Sequence, residues 1–450
     1  MENKELIKKM FEKGKLYMSD MEAYVEKVKE INIGVFNGEI DRYNISESGG
    51  LSLRGIFDGK MGYSYTEKLD ESSIDMLIKD VMENGKFIDS IDKEEIFAGS
   101  EEYRKVDTYN SKLHDIPLKG KIDFVKKLEK EALSLDNRVV AVNTCIYGEQ
   151  EEFRNIANTK GIDLEERTNL AYAYISVIVK DGEDTKTGDS YVISNDFSSF
   201  DYQKLAKEAV EQAISMLGAS SIKSGDYPVI FRNDVFANII EAFSSVFSAE
   251  NVHKGLSLLK DKMGEKVACS LLTLVDDPFM KDGTGTRYFD GEGTAARFNK
   301  VIENGVLKTY FYDWKNAKID GVSSTGNAYR NSYKSAISIS PTNLYILNGK
   351  NSLNSMMNSI DNGLIIINAE GLHAGLNAVS GDFSLFCYGY EIKNGKIRRP
   401  VNQITMAGNF YELLKDIEMI GDDLKFTMPN GGSYVGSPSV KIKKLSISGE

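Results

Sequence analysis

Cysteine, histidine and proline are all scarce in this 450-residue chain, at three, three and seven residues. Cys145, Cys269 and Cys387 lie far apart and match neither a disulfide framework nor a zinc knuckle; they read as buried thiols of a reducing compartment. His114, His253 and His373 include no pair at the short spacing that sets two imidazoles on one helical turn. No run approaches the ~18 uninterrupted apolar residues of a membrane span. The opening MENKELIKKMFEKGK is charged throughout and unlike a secretory signal. A cytoplasmic protein with no membrane contact is expected. Basic clusters are also lacking: 67 acidic and 55 basic residues give a net charge of −12. The densest cationic groups, Lys396–Arg399 and Lys441–Lys444, are short and flank strand-like residues, so direct nucleic-acid binding is not expected. No G-x-S-x-G elbow, phosphate loop or dinucleotide fingerprint occurs in the needed context.

What is present is an ordinary globular composition, 41% hydrophobic and 27% charged, enough for several domains. Leu6, Ile7, Met10 and Phe11 recur at helical spacing. Strand-like runs follow at 24–28, 31–36, 40–45, 51–57 and 61–65, with Asn37-Gly38 and Asp58-Gly59 as tight hairpin turns. Ser72-Ser73-Ile74-Asp75 reads as a capping box opening a second helix. Residues 1–90 thus form an N-terminal α+β domain, and the polar stretch 89–109 a linker that leaves His114 on the surface. A middle α+β domain, 110–222, repeats the order helix, strands, helix, with strands near 139–147, 152–158 and 170–180. A strand-rich C-terminal domain, 225–450, opens with a short strand and an apolar helix, from Asn233 or Asp234 to about Phe247. Turns at Asp282-Gly283, Asp290-Gly291, Asn304-Gly305, Asn348-Gly349 and Asn394-Gly395 imply extensive antiparallel sheet there. The fold class is α+β.

Candidate chemistry is sparse. Asp276-Asp277-Pro278 and Phe289-Asp290-Gly291-Glu292-Gly293-Thr294 lack the pattern of a calcium loop, and their carboxylates are expected to bond nearby backbone N–H groups. His253 reads as a satisfied helix-end histidine. Glu241 is the only acid in the middle of the apolar helix, which otherwise reads as core. The most polar loop-like segment, 368–384, contains three glycines that allow close backbone approach. Its His373, Asn377 and Asp382 are the candidate substrate-binding residues, for a peptide backbone or a polar ligand; the alternative is a structural loop that satisfies itself.

Several segments in this order resemble the TldD/PmbA family, historically labelled modulators of DNA gyrase and grouped with peptidases. They are Gly50–Arg54 with Asp58–Tyr63, Leu274–Pro278, Phe289–Thr294, Ser324–Ala328, Ser380–Ser384, Pro400-Val401 and Ile404–Asn409. In the TldD branch an H-E-x-x-x-H helix and a late cysteine hold the catalytic metal. Laid on the apolar helix here, that pattern puts its histidines at Ile240 and Ser245 and its Glu at Glu241, and 422–438 contains no cysteine. An alkyl chain cannot ligate zinc, so the resemblance is to the PmbA, or TldE, branch. It implies a metal-free subunit of a TldD–TldE-type metalloprotease that processes or degrades small or unfolded peptides. Such a subunit is not catalytic by itself, has no cofactor of its own, and supplies chamber wall and partner interface to a TldD-like subunit that holds zinc. Whether the chain also pairs with itself stays open. The alternatives are a self-contained hydrolase around His373 and Asp382, or a regulatory protein that binds gyrase or a toxin.

Overall fold

A computed structural model describes residues 3–87, 94–429 and 432–450. Helix α1 (Asn3–Gly14) leads into strands β1 (Met21–Phe36), β2 (Glu39–Phe57) and β3 (Lys60–Thr66), followed by α2 (Ile74–Lys86). After the connector come α3 (Ser111–His114), α4 (Leu118–Leu135), β4 (Val139–Asn158), β5 (Asp163–Asp181), β6 (Asp184–Ser194) and α5 (Tyr202–Ser215). The two helix–strands–helix units share one sheet, in the order β3-β2-β1-β4-β5-β6. They meet where β1 runs antiparallel to β4, from Glu22 opposite Asn158 to Gly34 opposite Ile146. The α+β class read from the sequence is the one observed.

Alternation explains the layering. Ala23 and Val25 of β1, with Leu51 and Leu53 of β2, pack under α1 and α2. Ile33, Tyr147, Ala171, Ala173 and Ile175 pack under α4 and α5. All four helices therefore cover one face of the sheet, and the intervening residues point the other way. Asn37-Gly38 and Asp58-Gly59 do turn their hairpins, each pair with positive φ at both residues. The strands themselves are longer than the sequence runs: 24–28 and 31–36 belong to one strand, as do 40–45 and 51–57, and as do 139–147 and 152–158. The charged or small residues that seemed to end them, such as Lys29-Glu30 and Ser46–Gly50, continue the ladder along a cleft.

Two other local readings change. Asp70, not the Ser72–Asp75 pair, caps the turn before α2, its Oδ1 accepting from Ser72 N at 2.8 Å. The connector, within 94–109, is docked: Ile96 and Phe97 are buried, the Phe97 ring lies 4.7 Å from Trp314, and Phe97 O accepts from Asn158 Nδ2 at 2.7 Å. The early part of the expected linker, 89–93, lies outside the described residues.

The C-terminal region begins with β7 (Gly225–Phe231), α6 (Asn233–Phe243), a 3-10 turn (Ser244–Phe247) and α7 (Ala249–His253). Next come β8 (Leu274–Asp276), β9 (Asn299–Glu303), β10 (Val306–Leu307), α8 (Trp314–Asp320), β11 (Ala328–Tyr329), β12 (Ser338–Ile339), β13 (Asn343–Ile346) and α9 (Leu353–Asn358). The chain ends with β14 (Asn362–Glu370), β15 (Asp382–Lys393), β16 (Lys396–Asn409), α10 (Phe410–Lys415), β17 (Ile417–Ile420), β18 (Lys425–Phe426), β19 (Tyr434–Ser437) and β20 (Val440–Ser448). One sheet runs β10-β9-β8-β13-β19-β18. In the other, β7, β14, β15, β16 and β20 close into a ring, because β20 pairs with both β7 and β16. The sheets are mixed rather than wholly antiparallel: β7–β14 and β13–β19 are parallel. Of the five expected turns, Asn304-Gly305 and Asn394-Gly395 form hairpins.

Helix α6 is core, as its apolar face implies. Val235, Phe236, Ile239, Ile240 and Phe243 are buried among residues of both C-terminal sheets, with Phe243 stacked 4.5 Å from Phe410. Burying a side chain of the size of Ile240 contributes about 2 kcal/mol. No helix among the described residues is long and apolar enough to cross a membrane.

Candidate functional site: a charged cleft at the sheet junction

The sheet face that the helices leave open meets the C-terminal region, and charged residues at alternate strand positions fill that junction. Glu22 on β1 is fully buried, and its carboxylate takes both forks of Arg54 from β2: Nε donates to Oε1 at 2.7 Å and Nη2 to Oε2 at 2.9 Å. Arg330, from the C-terminal region, adds a second guanidinium to Glu22 and donates from Nε to Gly291 O at 2.7 Å. Arg54 also reaches Glu292 Oε1 at 3.4 Å, while Glu292 Oε2 accepts from Trp314 N at 2.8 Å. On β4, Arg154 is paired with Glu166 of β5 and donates to Phe289 O at 2.9 Å. A buried ion pair is costly unless its hydrogen bonds are complete; those around Glu22 are.

Burial sets the protonation of the acids here. It lifts Glu292 to about 8, against the opposing pull of Arg54, with Asp290 and Asp313 pushing the same way as burial. It lifts Asp290 to about 6 although three backbone N–H groups, from Glu292, Thr294 and Ala328, hold its carboxylate down.

Beside this network the junction opens into a cleft of ≈ 1920 Å³. Glu26, Glu152 and Arg154 line it from the sheet, and Arg287, Tyr329 and Lys334 from the opposite wall. Glu26 accepts from Tyr333 N at 3.1 Å; burial, reinforced by Glu152, raises it to about 7. Glu152 is likewise held above the ordinary carboxylate range by burial. Arg287 is 6% exposed, and its Nε and Nη2 meet no hydrogen-bond partner. The cleft thus offers a cation, one carboxyl (Glu26) that gains or loses its proton near neutrality, a second (Glu152) that burial holds above the ordinary range, and tyrosine hydroxyls: equipment for binding a polar chain. Among the described residues no three His, Cys, Asp or Glu side chains lie close enough together to hold a metal ion.

The sequence-nominated residues lie elsewhere. His373 and Asn377 occupy the exposed loop between β14 and β15, Asp382 is the exposed first residue of β15, and all three are absent from the cleft wall. The structure links two of them: Asn377 N donates to Asp382 O at 2.8 Å, and Asn377 Oδ1 accepts from Val379 N and Ser380 N. The Asp382 carboxylate accepts from Asn409 Nδ2 and Ser380 Oγ, each at 2.8 Å, and these bonds hold it below its ordinary range. His373 meets no partner among the described residues. The acidic turns are satisfied locally or by neighbours: Asp276 accepts from Thr342 and Asn327, and Asp277 from Phe279 N. Ile240 is buried in the α6 core and Ser245 sits exposed in the following 3-10 turn. His253, ending α7, is held at both ring nitrogens, by Asn316 Oδ1 and Asp320 Oδ1, each at 2.8 Å. His114 is exposed at the end of α3. Cys145 and Cys387 are buried, as expected; Cys269 is only partly so, a correction to the reading of three buried thiols. The residues that sequence reasoning passed over are Glu26, Glu152, Arg154 and Arg287. For the strand residues the signal was a polar side chain at every second position, as in Glu22-Ala23-Tyr24-Val25-Glu26 and Glu152-Phe153-Arg154; Arg287, outside any strand, gave none.

Three consecutive stretches match models of one family, described as PmbA/TldA metallopeptidases: domain 1 at 21–85, the central domain at 111–217 and the C-terminal domain at 224–449. The chain belongs to the PmbA/TldD family. A protein named metalloprotease TldD homolog, from Buchnera aphidicola subsp. Acyrthosiphon pisum, is 30% identical over 92% of this chain and 89% of its own. A metalloprotease PmbA homolog from Haemophilus influenzae is 24% identical over 95% and 92%. A Thermotoga maritima structure, described as a candidate modulator of a DNA gyrase, has a TM-score of 0.90 and 32% identity, covering 99% of this chain and 100% of that one. TldE from Thermococcus kodakarensis shares the fold at a TM-score of 0.90 and 24% identity, with the same coverage. Family relatives carry both the TldD and the PmbA names, so overall likeness does not choose the branch.

Proposed function

We propose that this chain is the metal-free, PmbA/TldE-like subunit of a metalloprotease that processes or degrades small peptides. A TldD-like partner supplies the metal-activated water, and this chain supplies binding surface and partner interface. One observation carries the reading: at the α6 position where the family resemblance calls for a histidine, Ile240 is 1% exposed and packed into the hydrophobic core. A ligand there would need an imidazole in place of a packed alkyl chain and a second one at Ser245.

The junction cleft supports the peptide part of the proposal. Its ≈ 1920 Å³ exceeds the roughly 300–1,000 Å³ of a small-molecule pocket, and its walls present carboxyls, guanidinium and phenol groups that can pair with a peptide backbone. The test is to mix this chain with a TldD-like protein from the same organism, size the mixture and assay peptide cleavage. Co-elution with cleavage absent from this chain alone supports the proposal; two species with no shared activity overturn it. A regulator of gyrase is the second reading, favoured by the gyrase-modulator description that the Thermotoga maritima protein carries. Recovery of gyrase rather than a TldD-like chain in a pull-down would support that one instead.

A further inference from the structure

We infer that Arg287 anchors a carboxylate subsite on the wall of the junction cleft, taking the carboxylate of a bound peptide, at its chain end or on an acidic side chain. The inference rests on the peptide-binding reading and adds the group that the cleft recognises. Arg287 is fixed from behind by its own backbone, whose N–H donates to Pro278 O at 3.0 Å. Its side chain lines the cleft and is 6% exposed, with Nε and Nη2 unpaired.

Three of the carboxylates around it are already in use; the fourth, Glu152, attracts Arg287 electrostatically, but burial holds its carboxyl above the ordinary range and so disfavours the charged form a counter-ion needs. Asp276 is bonded to Thr342 and Asn327, and Asp290 to three backbone N–H groups. Glu166 takes the guanidinium of Arg154 and accepts from Tyr288 N. Arg154 is thus matched and Arg287 is not. A buried guanidinium without hydrogen bonds is expensive to keep, and its planar fork fits a carboxylate through two parallel bonds. Glu26 and Glu152 border the same space. Their carboxyls admit a singly charged carboxylate more readily than a doubly charged phosphate, which like-charge repulsion disfavours.

The experiment measures thermal shifts and affinities of the full chain with three peptides whose side chains are neutral except where stated: a free acid, its C-terminal amide, and an amide carrying one Glu. Inorganic phosphate is the fourth probe. The wild-type chain should bind the free acid, the Glu-bearing amide or both about 10- to 100-fold more tightly than the neutral amide, the range for a charge-assisted hydrogen bond. Which of the two it prefers identifies the source of the carboxylate. Arg287→Met should erase that preference while raising the melting temperature of the unliganded chain; Arg287→Lys, which keeps the charge, should retain part of it. Equal binding of acid and neutral amide, phosphate binding tighter than either acid, or an unchanged preference in both variants would overturn the inference. Carboxylate preference without co-elution with a TldD-like protein would count against the subunit reading alone. A complex that cleaves acids and amides alike, with or without Arg287, would count against the subsite alone.

Discussion

Replacing Glu26 by Gln should make the protein more stable above neutral pH and leave it nearly unchanged in acid. Glu26 lies on the cleft wall, 7% exposed, with a pKa raised from an ordinary 4.5 to about 7, first by burial and then by Glu152. A raised carboxyl binds its proton more tightly in the folded chain than in the unfolded one. Its favourable contribution is therefore complete below about 4.5 and is lost as the pH climbs through about 7. Full ionisation costs the fold about 3 kcal/mol at 1.36 kcal/mol per pH unit, or about 2 kcal/mol once water in the cleft screens the charge. Glutamine keeps the acceptor for Tyr333 N and cannot ionise. At ~2.1 cal/mol/K per residue, a cooperative unit of this length converts 2 kcal/mol into about 2 °C. Melts of both proteins at pH 5 and pH 8 should show a gap that opens by that amount at the higher pH. A gap independent of pH, or a wild type that gains on the variant as the pH rises, would refute the burial argument.

Two further outcomes follow from the same junction and core. Glu22→Gln leaves two buried guanidinium groups, Arg54 and Arg330, without their shared carboxylate, and should cost about 3–5 kcal/mol in a denaturant titration; a loss under 1 kcal/mol would show that the network does not hold the domains together. In native protein a thiol reagent should label Cys269 first, because burial encloses Cys145 and Cys387 and pushes both thiols up to about 12; all three should react in denaturant, and native labelling at equal rates would contradict the packing.

Local features were legible in the sequence because the residues that determine them are neighbours. Asn37-Gly38 and Asp58-Gly59 need positive φ and have the residues that tolerate it, and the apolar faces of α2, α4, α5 and α6 repeat at helical spacing. The long strands were cut short because Lys29-Glu30 and Ser46–Gly50 resemble turns until a partner strand is beside them. The cleft was missed for a related reason: Glu22 and Arg330 are 308 positions apart, and Arg54 and Glu292 are 238 apart. The free donors of Arg287 follow from how Asp276, Asp290 and Glu166 spend their oxygens, which no sequence window contains. The loop 368–384 drew attention by its density of polar groups, yet Asn377, Ser380, Asp382 and Asn409 use much of that polarity on one another.

The central claim, that bond-breaking is left to a partner, is tested most directly by metal content. The chain alone, the TldD-like protein alone and their mixture would each be dialysed against trace zinc and analysed for bound metal and peptide cleavage. Far less than one zinc per chain is expected here, about one in the partner, and cleavage that requires the partner. One tightly held zinc per copy of this chain, with cleavage by it alone, would contradict it.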